Sequence, residues 1–443
     1  MSEPRKRSLT YETRRLYRWL LTDGLTRTIF LGLKFTTPNR PLNPLAYLGV
    51  MTLAMFLLLG VTGALLMIYY VPTAAGAWES IRFINDEVPF GFFLRNMHYH
   101  ASNAMVLLAV THLFYQYFSG RYKLKYEVLW ITGVLLGTIT IVEAYTGYDL
   151  IMSIRAMLAI NIGLALAFSS QPFVGGLPLA DMVLGAEGGL NNIILRYYTL
   201  HVFVLPIVML VLMLVHLPRS MQVDVPILSS VFGVLFVLGG MFPVELGIRF
   251  DPKIPTAITF PEWYFTGLYA ALRTGISAFL AGVVLPTIFI LIFLIAPFID
   301  TDKKRLSPWD RPFMTSLGVS GIGIIALTTV WGFRHNNIFL PLNEEAGLLI
   351  DPFAFFASTI LLAIITFAGT YIYAGHRRAI KGSERRRRAG EAKPKKPMPM
   401  WELFTILSVL IGLEIFINTT AAQALTQGLR NLAFVEMGLI LII

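Results

Sequence analysis

Long apolar stretches alternate with short polar or basic segments along almost the whole chain. A helix needs roughly 20 apolar residues to cross a bilayer, and nine stretches predict crossings: residues 45–69, 92–118, 126–145, 192–217, 227–246, 278–298, 313–333, 353–373 and 403–417. The last apolar stretch, 432–443, is short, so a tenth crossing stays open. Glycine and proline interrupt residues 147–189, and we expect only short surface helices there. The pattern predicts an all-α integral membrane protein, a transmembrane helix bundle.

The polar and basic segments divide this bundle into five parts. We expect a basic, amphipathic N-terminal segment, a four-helix core, a second group of four spans, a basic linker and one or two extra C-terminal helices, at residues 1–43, 44–220, 221–375, 376–399 and 400–443 respectively. Most of the 36 Lys and Arg residues fall on one side of the membrane if the N-terminus is cytoplasmic, as the positive-inside rule requires.

Composition narrows the class further. A hydrophobic content of 56% and a mean hydropathy of +0.66 exclude a soluble domain. The net charge of +10 follows from topology, so it indicates anionic lipid as a partner and does not indicate nucleic acid. The chain has no cysteine, which excludes disulfides, iron–sulfur ligation and thioether-linked cofactors.

Two of the apolar stretches carry histidine pairs. His98 and His112 are fourteen residues apart, and His201 and His216 are fifteen apart. Fourteen residues is about 21 Å along a helix and nearly four full turns, so both rings leave roughly the same face. The predicted topology places His98 with His201 near the outer surface and His112 with His216 near the cytoplasmic surface. Neutral imidazole is a good axial ligand for haem iron, so the pattern predicts two stacked, non-covalently bound haems.

Two glycine pairs repeat the same interval. Gly49 and Gly63 lie fourteen residues apart in the first span, as do Gly133 and Gly147 in the third. Glycine lets a flat macrocycle approach a helix backbone. Small residues also serve ordinary helix packing in membranes, and single histidines in apolar helices are more often packing residues than ligands. The matched intervals favour haem over both alternatives.

Beyond these patterns the chain resembles the cytochrome b subunit of the cytochrome bc (bc1/b6f) complexes over about residues 23–335. The most specific motif is Pro261-Glu262-Trp263-Tyr264, within FPEWYFTGLYAALR. The four histidines and four glycines match the family pattern, as do Arg95 and, in the string RYYTLH, Arg196. The fifteen-residue histidine interval is similar to the b6f branch, although here both parts of the protein are fused in one chain.

The resemblance implies a set of site residues. The outer histidine pair would hold one haem b iron and the inner pair the other. Arg95 and Arg196 would face the propionates of the outer haem, with interfacial snorkelling as the alternative. Glu262 would accept a proton from quinol at the edge of its pocket, while Trp263 and Tyr264 would wall that pocket and Tyr264 would supply a hydroxyl.

The function that the resemblance implies is that of the redox subunit of a quinol:electron-acceptor oxidoreductase, active only with partners. Quinol would be oxidised at the outer face, and one electron would pass to a Rieske iron–sulfur protein and on to a cytochrome c or another acceptor. The second electron would cross through both haems and reduce quinone near the cytoplasm, a Q-cycle that contributes to proton translocation. A homodimer in a prokaryotic plasma membrane, with a cytoplasmic N-terminus, is also implied.

Two other functions remain open at this level. A dihaem membrane anchor would couple quinone to a non-Rieske partner such as a dehydrogenase or nitrate reductase. A haem-free transporter would use the histidines as a proton relay, although a relay does not require matched intervals.

The chain also departs from the family pattern. Residues 149–152, Asp-Leu-Ile-Met, replace the usual Leu-Pro-Trp motif beside the quinol site, which leaves the quinone type open. Glu143 lies inside the third span, where it would either supplement proton exit or act as a hydrogen-bonded packing residue. Without cysteine, the extra covalently attached haem of the b6f branch is excluded.

Overall fold

The computed structural model describes residues 32–36, 44–123, 126–217, 220–253, 260–300, 306–335, 350–387 and 431–442. Its helices are α1 (Leu48–Met67), α2 (Gly76–Asp86), α3 (Gly91–Phe118), α4 (Glu127–Asp149), α5 (Ile154–Ser170), α6 (Leu179–Met182), α7 (Gly189–Thr199), α8 (Leu205–His216), α9 (Val225–Met241), α10 (Thr266–Leu272), α11 (Leu285–Ile299), α12 (Pro312–His335), α13 (Pro352–Arg387) and α14 (Leu432–Ile442). Short turns of π-helix, Leu200–Val204 and Leu280–Val284, join α7 to α8 and lead into α11.

The predicted all-α membrane bundle is confirmed, with one small addition. Strands β1 (Gly32–Thr36) and β2 (Ser220–Asp224) form a parallel pair, with Gly32 opposite Ser220 and Thr36 opposite Asp224. The pair ties the N-terminal segment to the chain just before α9. The rest of the predicted N-terminal segment, residues 388–399 of the basic linker and the span predicted at 403–417 lie outside the described residues.

Seven helices among the described residues are long and apolar enough to cross a membrane. Six of them coincide with predicted spans: α1, α4, the continuous α7–α8 helix, α11, α12 and α13. The predicted spans at 92–118 and 227–246 form α3, which carries more polar side chains, and α9, which is only 17 residues long. At 11 residues, α14 is about 16 Å long, roughly half of the hydrocarbon thickness.

The seventh candidate is α5, and the expectation of only short helices in residues 147–189 is wrong. The single glycine inside it, Gly163, packs under the hydroxyls of Tyr145 and Tyr197, which lets a largely apolar stretch of 17 residues continue as one helix. Both ends of α5 nevertheless reach the same end of the bundle. The Ile154 amide donates to the Ile248 carbonyl, and beyond the other end the Phe173 ring stacks on Phe279, just before α11. The helix therefore lies across this end.

We call this end the Glu262 side, because α4 ends and α7 begins there beside Glu262. The opposite end, where α3 ends and α12 begins, is the Arg311 side. Helix α3 runs between the two and packs against α1, α2, α4 and α9. At 28 residues it is about 42 Å long, which exceeds the hydrocarbon core of a bilayer.

Polar side chains on one face of α3 fix the end of α9. Asn96 donates to the Gly239 carbonyl and accepts from the Val244 amide. His100 is fully buried, and its Nε2 lies 2.8 Å from the Phe242 carbonyl oxygen, so this nitrogen carries the proton. The hydrogen bond directs His100 away from the face of His98. Buried polar groups with partners of this kind hold neighbouring helices in register.

A buried ion cluster closes the Arg311 side. The Asp300 carboxylate accepts from Lys123, Tyr122 and Arg311, and the Arg311 guanidinium also donates to the Phe118 carbonyl at 2.7 Å. The side chains of Lys123, Asp300 and Arg311 are no more than 4% exposed. Burial alone would raise the pKa of Asp300, but the three hydrogen bonds outweigh it and lower that pKa.

This cluster generates a stability prediction. Asp300→Asn leaves two buried cations without their anion, and we expect it to lower the free energy of unfolding by about 3–5 kcal/mol. Because the folded-state pKa is depressed, the contribution of Asp300 is complete above about pH 4 and is lost as the pH falls below it. Thermal unfolding in detergent between pH 3 and 7 measures both effects. The matched control is the exposed Asp86→Asn, and equal losses in the two variants would contradict the prediction.

Candidate functional site

Two cavities lie one above the other between α1, α3, α4 and α7–α8. The cavity nearer the Glu262 side has a volume of about 380 Å³ and is lined by His98 and His201. The cavity nearer the Arg311 side has a volume of about 650 Å³ and is lined by His112 and His216. We call them the Glu262-side cavity and the Arg311-side cavity. The structure therefore brings the histidines together in the pairs expected from their spacing.

The two imidazole rings of each pair face one another across the cavity. The ring centroids of His98 and His201 are 6.3 Å apart at an interplanar angle of 77°, and those of His112 and His216 are 6.5 Å apart at 81°. A metal–imidazole nitrogen bond of about 2 Å on each side, plus about 1 Å from each nitrogen to its ring centre, gives a centroid separation of about 6 Å. The spacing thus fits one metal ion between the rings of each pair.

Hydrogen bonds at the outer ring nitrogens orient three of the four rings. His98 Nδ1 lies 2.9 Å from the Thr62 hydroxyl. His201 Nδ1 donates to the Glu143 carbonyl at 3.0 Å, and His216 Nδ1 donates to the Leu129 carbonyl at 2.9 Å. A proton held on Nδ1 leaves the Nε2 lone pair free, which is the arrangement of a metal-ligating histidine.

His201 lies in the π-helical turn Leu200–Val204, immediately before the proline of α8. Such turns inside a helix are frequent at functional sites. The turn supplies the local change in winding that accompanies the fifteen-residue interval to His216, one residue longer than the interval in α3.

The four predicted glycines lie against the four histidines. A Cβ atom added to Gly133 would lie 2.7 Å from His216 Cε1, and one added to Gly147 would lie 2.5 Å from His201 Cε1. The corresponding distances from Gly49 to His112 and from Gly63 to His98 are both 3.2 Å. Gly133 and Gly147 therefore leave no room for a side chain against His216 and His201, and Gly49 and Gly63 make tight contacts with His112 and His98.

The two predicted arginines occupy different surroundings. Arg95 lines the Glu262-side cavity and is 7% exposed, with its guanidinium donating to the Val244 carbonyl at 2.7 Å and the Glu245 carbonyl at 3.1 Å. Arg196 is exposed on α7, where its side chain packs against Gly185. The predicted contact of both residues with haem propionates stays a prediction.

Glu262 and the short 3-10 turn Trp263–Phe265 that follows it, together called the Glu262 turn, form a wall of the Glu262-side cavity. Both Glu262 and Tyr264 line the cavity together with His98 and His201. The indole nitrogen of Trp263 donates to the Asn103 side chain on α3 at 2.8 Å, which fixes the turn to the helix that carries His98. Placing Glu262 beside the histidine pair is a result of tertiary structure, because Glu262 lies 163 positions after Tyr99, whose hydroxyl approaches it from α3.

Glu262 itself is 6% exposed and has a partner on each oxygen. Arg155 Nη1 lies 3.1 Å from Oε1, and the Tyr99 hydroxyl donates to Oε2 at 3.3 Å. Burial raises the pKa of the nearby Tyr264 hydroxyl well above its ordinary value, and the charge of Glu262 adds to this shift. Tyr264 therefore stays protonated next to the carboxylate.

Comparison with known proteins identifies the chain. Residues 36–222 match the family model "Cytochrome b/b6/petB", and residues 251–344 match "Cytochrome b(C-terminal)/b6/petD". The chain belongs to the cytochrome b family. A "Cytochrome bc complex cytochrome b subunit" from Chlorobaculum thiosulfatiphilum is 27% identical over 324 residues, which cover 66% of this chain and 74% of the relative. A solved chain of a "Hyperthermophilic respiratory Complex III" has the same fold, with a TM-score of 0.55, 21% identity and coverage of 81% of this chain and 98% of that chain.

These matches confirm the predicted resemblance to the cytochrome b of a bc-type complex. They make the chain a multi-pass membrane component of an electron-transfer oxidoreductase complex, and they imply binding of haem b and the presence of partner subunits. The two matched regions are encoded here in one chain, as the fused form predicted from the sequence requires.

Sequence reasoning missed three neighbours of Glu262 in this cytochrome b. Arg155, Tyr99 and Asn103 reach the Glu262 turn from α5 and α3. Tyr99 and Asn103 lie one and five residues after His98 on the same helix. Polar side chains so close to a candidate ligand are a signal that the sequence offers. Arg155 lies just beyond the segment that departs from the family pattern, and its partner can be assigned only when α5 is positioned in space.

Glu143 lies beside the histidine pair of the Glu262-side cavity. Its Oε1 is 3.2 Å from His201 Nδ1, and its Oε2 is buried without a hydrogen-bond partner among the described residues. The backbone carbonyl of the same residue already accepts from His201. Both the packing role and the proton-exit role weighed for Glu143 remain hypotheses.

Proposed function

We propose that this cytochrome b binds two haem b groups, oxidises quinol at the Glu262 wall of the Glu262-side cavity and passes electrons across the bundle toward the Arg311 side. The observation that carries the proposal is that Glu262 and Tyr264 line the same cavity as the histidine pair His98 and His201. A carboxylate suited to accept a proton thus stands beside a pair of imidazoles suited to hold a redox cofactor.

The haem sites would be formed by two histidine pairs, His98 with His201 and His112 with His216. The ring separations and the free Nε2 positions fit axial ligation, and the four glycines leave room for a flat macrocycle at the α1 and α4 backbones. When bound, the haems would supply one-electron carriers at two depths of the bundle. Arg95, which lines the cavity, is the better placed of the two predicted arginines to face a propionate.

The proton would leave quinol through Glu262. A carboxylate within hydrogen-bond reach of the quinol hydroxyl acts as a general base, and Glu262 is held at the cavity wall by partners on both oxygens. Tyr264 keeps its proton, so its hydroxyl can orient the substrate as a donor. Trp263 holds the turn against α3 through its hydrogen bond to Asn103.

The proposed membrane orientation follows the predicted topology. The Glu262 side would face the outside of a prokaryotic plasma membrane, and the N-terminus and Arg311 side would face the cytoplasm, because Lys and Arg cluster in the segments on that side. One electron from quinol would pass to a Rieske iron–sulfur partner and on to a cytochrome c or another acceptor. Reduction of quinone near the cytoplasm would complete a Q-cycle, with the complex acting as a homodimer that translocates protons.

Haem stoichiometry is the first prediction. A pyridine haemochrome assay with a reduced-minus-oxidised spectrum is expected to give two low-spin b haems per polypeptide. His201→Ala and His216→Ala should each remove one haem, because each deletes one axial ligand of a separate site. A folded wild-type protein without haem would refute the redox function and favour a transporter, whereas two haems with a co-purifying partner other than a Rieske protein would favour the dihaem anchor.

The second prediction concerns glycine at the haem faces. Gly147→Ala would put a methyl carbon 2.5 Å from His201 Cε1, so the ring must move and haem content should fall by up to one per polypeptide. Gly369→Ala, inside α13, is the matched control, since its methyl group meets nothing within 4 Å and the residue lines neither cavity. Equal haem content in the two variants would show that the close approach at Gly147 does not shape the site.

The third prediction concerns Glu262 as the general base. Glu262→Gln keeps the shape of the side chain and removes its ability to take up a proton, so the rate of quinol oxidation should fall by about 10²-fold. The two haem spectra should be unchanged, because Glu262 contacts none of the four histidines. The exposed Glu87→Gln is the control, and an undiminished rate in Glu262→Gln would remove Glu262 from the reaction.

A further inference from the structure

The charge beside Glu262 comes from a helix that the sequence did not link to this site. Arg155 is the second residue of α5, and its Nη1 lies 3.1 Å from Glu262 Oε1. The guanidinium also lies over the ring of Tyr148, 5.9 Å from its centroid. From these contacts we infer that Arg155 is a positioning residue: it holds the Glu262 carboxylate as an anion at the cavity wall. This inference rests on the proposed role of Glu262 in quinol oxidation.

The backbone that carries Arg155 is anchored independently of Glu262. Ser153 caps α5 by accepting from the Ala156 amide, and the Ile154 amide donates to the Ile248 carbonyl. The Phe250 amide in turn donates to the Met152 carbonyl. The start of α5 is therefore bound to the segment after α9, and the backbone position of Arg155 does not depend on the ion pair.

The other groups that face the Glu262 carboxylate are neutral. Tyr99 from α3, Tyr148 from α4 and Tyr264 from the Glu262 turn are phenols. Arg95 lines the same cavity but donates to the Val244 and Glu245 carbonyls. Among the described residues, Arg155 is thus the cation that pairs with Glu262.

The exposure of the ion pair suggests how it serves proton release. The Glu262 side chain is 8% exposed, whereas the Arg155 side chain is 38% exposed. One end of the pair is therefore in the cavity wall and the other reaches the surface of the Glu262 side. A cation in this position stabilises the deprotonated carboxylate before quinol binds, and the ion pair is lost when Glu262 takes up the proton, which can then pass to water at the exposed arginine.

The test compares Arg155→Gln with Arg249→Gln. Arg249 is a matched control, because it forms an exposed pair with Glu79 at 2.8 Å on the same side of the bundle. In Arg155→Gln the acid limb of the quinol oxidation profile should move to higher pH by about one unit, which is up to a tenfold loss of kcat/KM on that limb, with recovery at alkaline pH. Arg155→Lys, which keeps the charge without the planar fork, should restore most of the rate.

A second readout does not depend on turnover. Infrared difference spectroscopy can follow the band of the protonated Glu262 carboxyl, identified by its disappearance in Glu262→Gln. This band should appear at higher pH in Arg155→Gln than in the wild type and in Arg249→Gln. Coincident pH titrations of the band in all three proteins would overturn the inference, even if Glu262→Gln abolishes quinol oxidation. A shifted titration with undiminished activity of Glu262→Gln would instead refute the proposed function and leave the ion pair standing.

Discussion

Placing imidazole rings inside an apolar helix bundle is the constraint on which the rest of this structure depends. A buried ring nitrogen without a partner is costly in a medium where water cannot reach it. Three of the four rings solve the problem on one side by bonding Nδ1 to a threonine hydroxyl or to a carbonyl of the neighbouring helix. Those bonds orient the rings so that the Nε2 atoms face each other across a cavity. The hydrogen bond at Nδ1 therefore also leaves Nε2 free to bind a metal.

This arrangement makes α3 the organising element of the bundle. One face of the helix presents His98 and His112 to the two cavities, while another face uses Asn96 and His100 to bind the end of α9. The polar content that makes α3 less hydropathic than its neighbours is therefore divided between a cofactor face and a packing face. Its length also lets it reach the Glu262 turn through Asn103 and the Arg311 cluster through Phe118.

The ion pairs at the two sides of the bundle differ in their exposure to solvent. On the Arg311 side, Asp300 is enclosed by Lys123, Arg311 and Tyr122, all with buried side chains, and the cluster has a structural role. On the Glu262 side the ion pair is open to solvent at its arginine, and its carboxylate lines a cavity. Full enclosure suits stability because the charges stay paired, whereas partial exposure allows one partner to change its protonation state and exchange with water.

The sequence by itself determined the membrane class, the helical fold, the histidine and glycine pairs and the family, because these depend on hydropathy and on intervals along single helices. A fourteen-residue interval fixes both the depth and the face of a side chain without knowledge of any neighbour. Contacts between distant segments were decided only by tertiary structure. The pairing of Glu262 with Arg155 and Tyr99, and the path of α5 across one end of the bundle, depend on how helices pack, and hydropathy carries no signal for them. For the same reason the sequence does not predict α5 as one helix: its glycine lies in a contact with two tyrosines that the linear pattern cannot reveal.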